Sequence, residues 1–239
     1  VFSLILLSSS VSLGSEDPAT NCLSPLFENL SSISAISSEK ASSNYELSWS
    51  YVPPSVENVP NETLDFFSAM FADTESVKRN FNAAYLENLH QRVGENTASL
   101  PKIFLKDAQS RGMHYIFVTD QKTNICFGYF SFRQYDPKTV KEDHPLYADS
   151  QKLSAQNKPM WNVGVFFLKG YRQDGILNAI GNRFMDTLGE GSDNLEGMTI
   201  CSDTDHPFVH SFISQHPEWQ WHCYSEKPFE GKYYYIHQT

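Results

Sequence analysis

The residues best placed to do chemistry lie in Trp161–Leu188, WNVGVFFLKGYRQDGILNAIGNRFMDTL. The stretch reads as an apolar strand, a tight polar turn carrying Tyr171-Arg172-Gln173-Asp174-Gly175, and an amphipathic helix. A strand that turns through glycine into a helix start presents backbone N–H groups to an anion, and the helix dipole adds partial positive charge there. Arg172 could add a full charge, and Gly175 would let the backbone approach a ligand closely. Asp174 puts a negative charge in the same turn, which suits a phosphate only if its side chain points to solvent.

Other reactive side chains form weaker patterns. His206 and His210 stand four apart on a predicted helix near Asp203 and Asp205, a spacing that could ligate a metal. No H-E-x-x-H accompanies them, and Cys22, Cys126, Cys201 and Cys223 form no C-x-x-C pair, so no metal is expected. The chain has no G-x-S-x-G, Walker A or G-x-G-x-x-G pattern. His222 stands alone on a predicted strand near the end. The aromatics around it (Trp219, Trp221, Tyr224, Tyr233, Tyr234 and Tyr235) either line an acceptor pocket or pack the sheet. A net charge of −10 with no Lys/Arg run argues against nucleic acid.

The elements that must position these groups begin at Asn61. Residues 1–60 read as a Ser-rich, mostly disordered or loosely docked segment. Its apolar start, Val1–Leu7, resembles the core of a signal peptide and is too short to span a bilayer. Leu64, Phe67 and Phe71 then recur at helical spacing. A second helix is expected over 75–92 with Val77, Phe81, Ala84 and Leu89 inward, and a third from an N-capping Ser99, through Pro101, to Gly112. His114–Thr119 and Ile125–Arg133 read as a hairpin, followed by a long polar connection over 134–159. After Trp161–Leu188, whose helix carries Ile176, Leu177, Ile180, Phe184 and Leu188 near one face, come a strand over 197–202 and a short helix entered through Asp205 and Pro207. Two closing strands at 219–224 and 232–237 complete the chain.

This order, an α/β arrangement around a mixed, mainly antiparallel sheet flanked by helices, resembles the GNAT family of N-acetyltransferases over about residues 61–239. In that family the fourth strand runs into a pyrophosphate loop of pattern Q/R-x-x-G-x-G/A. Here Arg172-Gln173-Asp174-Gly175-Ile176-Leu177 supplies the first Arg and the central Gly, with Leu177 replacing Gly/Ala. The resemblance implies acetyl-CoA as cosubstrate, its pyrophosphate on Arg172–Leu177 and its pantetheine arm along the backbone of Phe166, Phe167 and Leu168. A backbone N–H near Phe167 would meet the carbonyl oxygen. It implies an amine-bearing small molecule or protein as acceptor. The family's acidic Tyr on the last helix falls at Phe212, which has no proton to give; its neighbours Ser211 and His210, each turned about 100° or more from that position, and, as a base, His222 are the remaining candidates. The readings are acetyl transfer to an amine, a non-catalytic module that binds acyl-CoA or a partner, or an exported interaction protein. The first implies a cytoplasmic setting; the last applies if residues 1–14 are a signal remnant.

Overall fold

The structure is a computed structural model that describes residues 26–28, 35–38, 43–54, 59–94, 96–173, 176–189, 197–203, 208–214, 216–217, 220–224 and 227–237. Its centre is the expected hairpin. β3 (Met113–Asp120) and β4 (Ile125–Tyr135) are rich in aromatic and β-branched residues and buried on both faces through most of their length. The turn between them is closed by Asp120, which accepts from the Lys122 N–H at 3.0 Å and the Thr123 hydroxyl at 2.9 Å, and by Asn124 at φ 55°.

Among the described residues eight strands form one sheet in the order β1-β2-β3-β4-β5-β6-β8-β7. The remaining strands are β1 (Ala35–Ser38), β2 (Ser43–Val52), β5 (Met160–Phe167), β6 (Met198–Asp203), β7 (Trp221–Cys223) and β8 (Lys232–His237). Every pairing is antiparallel except β5 with β6. This is the mixed, mainly antiparallel sheet expected. One correction concerns the segment before Asn61. Ser43–Val52 is a ten-residue strand paired with β3 from Leu47↔Asp120 to Val52↔Tyr115. Tyr45, Leu47, Trp49 and Tyr51, two apart, pack on the core, so a boundary at 60/61 would cut through the sheet.

Helices cover both faces. On one face α1 (Asn61–Ala72), α2 (Thr74–Asn80), α3 (Ala83–Val93) and α4 (Leu100–Ser110) bury Phe66, Phe67, Met70, Leu89 and Phe104 against Tyr115, Phe117, Tyr129 and Phe166. The single helix expected over 75–92 is broken. Phe81 is extended at φ −124°, ψ 144°, and Asn82 caps α3 by accepting from the Ala84 N–H at 2.8 Å. The break turns Tyr85 inward and leaves Ala84 exposed. In α1 the buried stripe is Thr63, Phe66, Phe67 and Met70, leaving Leu64 and Phe71 partly exposed. Ser99 makes no side-chain cap to α4; a short 3-10 turn, Thr97–Ser99, leads in instead. The connection over 134–159 holds a helix, α5 (Tyr147–Ala155), which covers a smaller cluster of Met160, Cys201, Tyr234 and Ile236 through Leu153.

On the other face lie α6 (Lys169–Gln173), α7 (Ile176–Gly189) and α8 (Phe208–Ser214). Ile176, Ile180, Phe184, Val209 and Ile213 pack on Phe130, Phe132, Trp161, Val163 and Phe167, each large side chain contributing about 1.5–3 kcal/mol by leaving water.

Candidate functional site

β5 and β6 run parallel, yet they pair only at Trp161↔Met198 and Asn162↔Thr199. Beyond those residues β5 continues to Phe167 and β6 to Asp203 without pairing to each other, so a gap opens in the middle of the sheet. The junction is pinned on its closed side. The Trp161 N–H donates to the Gly197 carbonyl at 3.0 Å, and the buried Thr199 hydroxyl donates to the Trp161 carbonyl at 2.7 Å.

Strand alternation decides which backbone groups of β5 face the gap. The Leu168 N–H donates to the Phe127 carbonyl at 2.8 Å, so Leu168 faces β4, and in the antiparallel register Phe166 and Gly164 do too. Trp161 and Val163 face β6, the Val163 N–H being engaged by the parallel pairing at Asn162↔Thr199, and beyond them Val165 and Phe167 turn their N–H and C=O groups into the gap, where no described strand pairs with them. This corrects the expectation for the pantetheine contacts. The backbones of Phe166 and Leu168 are spent elsewhere, the Leu168 carbonyl accepting from the Tyr171 N–H at 3.1 Å, and the Phe166 ring lies in the core against Phe66 and Tyr129. The Phe167 amide does face the gap.

The turn after β5 also differs from expectation. Lys169–Gln173 is helical, and Tyr171 lies flat on Phe127, ring centroids 4.1 Å apart and 12° from parallel. Four of the six residues at Arg172–Leu177 are therefore helical. Arg172 and Gln173 end α6, Ile176 and Leu177 begin α7, and Asp174 and Gly175 between them lie outside the described residues, as do the side chains of Arg172, Gln173 and Leu177. Ile176 is fully buried, so its side chain belongs to the core.

The catalytic candidates are not brought to the gap together. His222 is exposed on β7, the far edge strand, with β8 and β6 between it and the gap, at T-shaped contact with Tyr224. Two intervening strands at about 4.8 Å spacing hold it well beyond reach of an amine there. The side chains of Ser211 and Phe212 on α8, and Asp205 and His206 before it, lie outside the described residues. Among the described residues no cluster of His, Cys, Asp and Glu could hold a metal. Sequence reasoning named His210 without its partner: His210 on α8 hydrogen-bonds through Nδ1 to the Tyr235 hydroxyl and stacks on Tyr233 at 4.2 Å. Tyr235 sits on β8 opposite Ile200 of β6, one strand from the gap, and burial raises its hydroxyl well above the usual tyrosine range. A histidine three residues after Pro207 and an odd-numbered tyrosine on a core strand carry no sequence signal that they meet.

No protein-family model matches the chain, and no curated protein matches it. Solved structures do. An Arabidopsis thaliana NAA60 crystallised with acetyl-CoA matches at 10% identity over 80% of this chain and 98% of its own, with a TM-score of 0.42. A ribosomal-protein-S5-alanine acetyltransferase from Vibrio fischeri matches at 9% identity over 84% and 93%, TM-score 0.41. An acetyltransferase of the GNAT family from Streptococcus pneumoniae matches at 11% over 80% and 97%, TM-score 0.39. It is the chain's own strand order, with one parallel pair that splays after Asn162, that defines its fold as GNAT-like.

Proposed function

We propose that this protein binds an acyl-CoA in the gap between β5 and β6 and transfers its acyl group, acetyl in the simplest case, to an amine. The observation that carries this reading is the unpaired edge of β5 at Val165 and Phe167. A β-alanyl-cysteamine arm carries amides at peptide-like spacing, so it can add to that edge as a strand adds to a sheet. The first turn of α7 would receive the pyrophosphate, with Arg172, Gln173, Asp174 and Gly175 around it and Leu177 where a smaller residue would give more room. One of the gap-facing amides, that of Phe167 in the simplest register, would donate to the thioester oxygen as negative charge develops there.

The acceptor is an amine on a small molecule or a protein. His222 is too remote to be its base, and Ser211 remains a candidate acid on α8 beside His210. The Tyr235–His210 pair is a second route for a proton to the departing thiolate, since a tyrosine hydroxyl is protonated at neutral pH and Tyr235 lies one strand from the gap. A non-catalytic acyl-CoA-binding module is favoured by two observations: Asn162 is the only polar side chain on β5 apart from the Trp161 indole, and Phe212 supplies no proton. Calorimetric titration of acetyl-CoA and CoA into the full chain, followed by thiol release across an amine panel, separates the readings. Binding with CoA release supports transfer, binding alone supports the module, and no binding at millimolar ligand removes both.

A further inference from the structure

A cavity of about 290 Å³, at the small end of ligand pockets, opens on the α1–α5 face of the sheet. Its floor is one cross-strand row: Met113 of β3, Arg133 of β4 and Asn162 of β5 lie side by side in register. A guanidinium in the middle of a sheet, between two apolar clusters, is unusual. Burial, and the like charge of Arg111, both lower the Arg133 pKa, so the site favours a negative group beside it. Asn162 shows the same cavity an amide.

The wall over this floor is His144. Its Nδ1 accepts from the Leu146 N–H at 3.1 Å, so the ring proton sits on Nε2, which is buried and has no hydrogen-bond partner. Burial holds the ring neutral at physiological pH. A guanidinium and a carboxamide thus line one space, with the lysines Lys141 and Lys232 also on its walls, a donor set for a carboxylate. Tyr234 and Phe229, whose rings flank His144 at 4.7 and 5.7 Å, give the cavity an aromatic side, and the exposed carboxylates of Asp143 and Glu230 stand at its mouth.

We propose that this cavity binds a small α-amino carboxylate with an apolar or aromatic side chain. The carboxylate lies over Arg133 with Asn162, the side chain lies on Tyr234, Phe229 and the His144 ring, and the ammonium faces Asp143 and Glu230. The site stands whether or not acyl transfer occurs, because it lies on the opposite face from α7 and its test uses no acyl-CoA.

The test titrates L-phenylalanine, L-tyrosine and L-leucine into the full-length chain and follows backbone amide shifts by NMR. At least one binds at about millimolar affinity, as expected for a ligand of this size, with shifts centred on Asn162, 139–146 and 229–234. Its carboxamide, which lacks the carboxylate, binds about tenfold more weakly or worse, and so does the acid to Arg133→Gln, a loss in keeping with one charge-assisted hydrogen bond. A thermal melt of Arg133→Gln confirms that it folds; if it does not, the acid-against-amide comparison on the unaltered chain decides alone. Absence of binding by all three amino acids, equal affinity for acid and amide, or shifts centred elsewhere would overturn the proposal.

Discussion

Gly128 and Phe167 face each other across β4 and β5, and adding one methyl group at Gly128 tests how tightly that crossing is built. A Cβ on Gly128 would overlap the Phe167 ring, with Cγ only 2.9 Å away. The ring has nowhere to move. It is 3% exposed and lies edge-on to Phe130 at 5.8 Å and beside Phe127 at 6.0 Å. Overpacking of this kind costs about 1–3 kcal/mol, offset by roughly 0.5–1 kcal/mol from replacing a glycine inside a strand. Gly128→Ala should therefore destabilise by about 1–2 kcal/mol and lower Tm by about 2–8 °C for a chain of this length. It should also weaken acyl-CoA binding, because the backbone of Phe167 bears one of the gap-facing amides. The assay is a double-mutant cycle by thermal or urea melt. In a Phe167→Leu background the shorter side chain leaves room, so the cost of the alanine should fall close to zero. A Gly128→Ala protein as stable as the unaltered one, or an alanine cost unchanged by Phe167→Leu, would refute the packing argument.

Three further outcomes follow from named contacts. Thr199→Val deletes the buried hydroxyl bonded to the Trp161 carbonyl and should cost about 1–2 kcal/mol in urea melts, with weaker acetyl-CoA binding because the β5–β6 junction loosens. Asp107 accepts from the Tyr85 hydroxyl at 2.9 Å and pairs with Arg92 at 3.1 Å and Arg111 at 2.7 Å, so Asp107→Asn should cost about 1–2 kcal/mol, less in high salt. Stability should fall on both sides of neutrality. Burial lowers the pKa values of His144 and His237 below about 6.5, so the unfolded chain takes protons first, and stability present above that pH is lost as pH falls through it to the folded values. Burial raises Tyr135 to about 12, and Tyr85, Tyr115, Tyr129 and Tyr234 are raised for the same leading reason. That stability is whole below about pH 10 and is lost as pH rises through the folded values. A pH series of urea melts checks both limbs, and His237→Gln should flatten the acid one.

The sheet from β3 onward was legible because its strands alternate or run apolar between plain turn signals. The long amphipathic stripe of α7 was legible for the same reason. β2 was hidden by composition. Its Tyr45, Leu47, Trp49 and Tyr51 keep a period of two, but the serines and asparagines between them made the stretch read as a tail. α5 was missed because only Ser150 and Leu153 are buried along Tyr147–Ala155, too little for a helical stripe. Of the site, the strand and the helix that follows it could be read from local pattern, while Phe167 entered only through the family resemblance. Which alternate amides face outward depends on register with β4 and on where β6 departs, and neither is a local property. The same holds for the row of Met113, Arg133 and Asn162, whose members come from three strands. No described helix is long and apolar enough to cross a membrane.

Amide hydrogen exchange along β5, with and without acetyl-CoA, tests the central claim most directly. Gly164, Phe166 and Leu168, bonded to β4, should be protected in both states. Val165 and Phe167 should exchange quickly in the free protein and slow by at least about tenfold when the ligand pairs with them, in keeping with newly formed backbone hydrogen bonds. Unchanged exchange at those two residues in saturating acetyl-CoA would contradict the placement of the acyl-CoA arm in the gap.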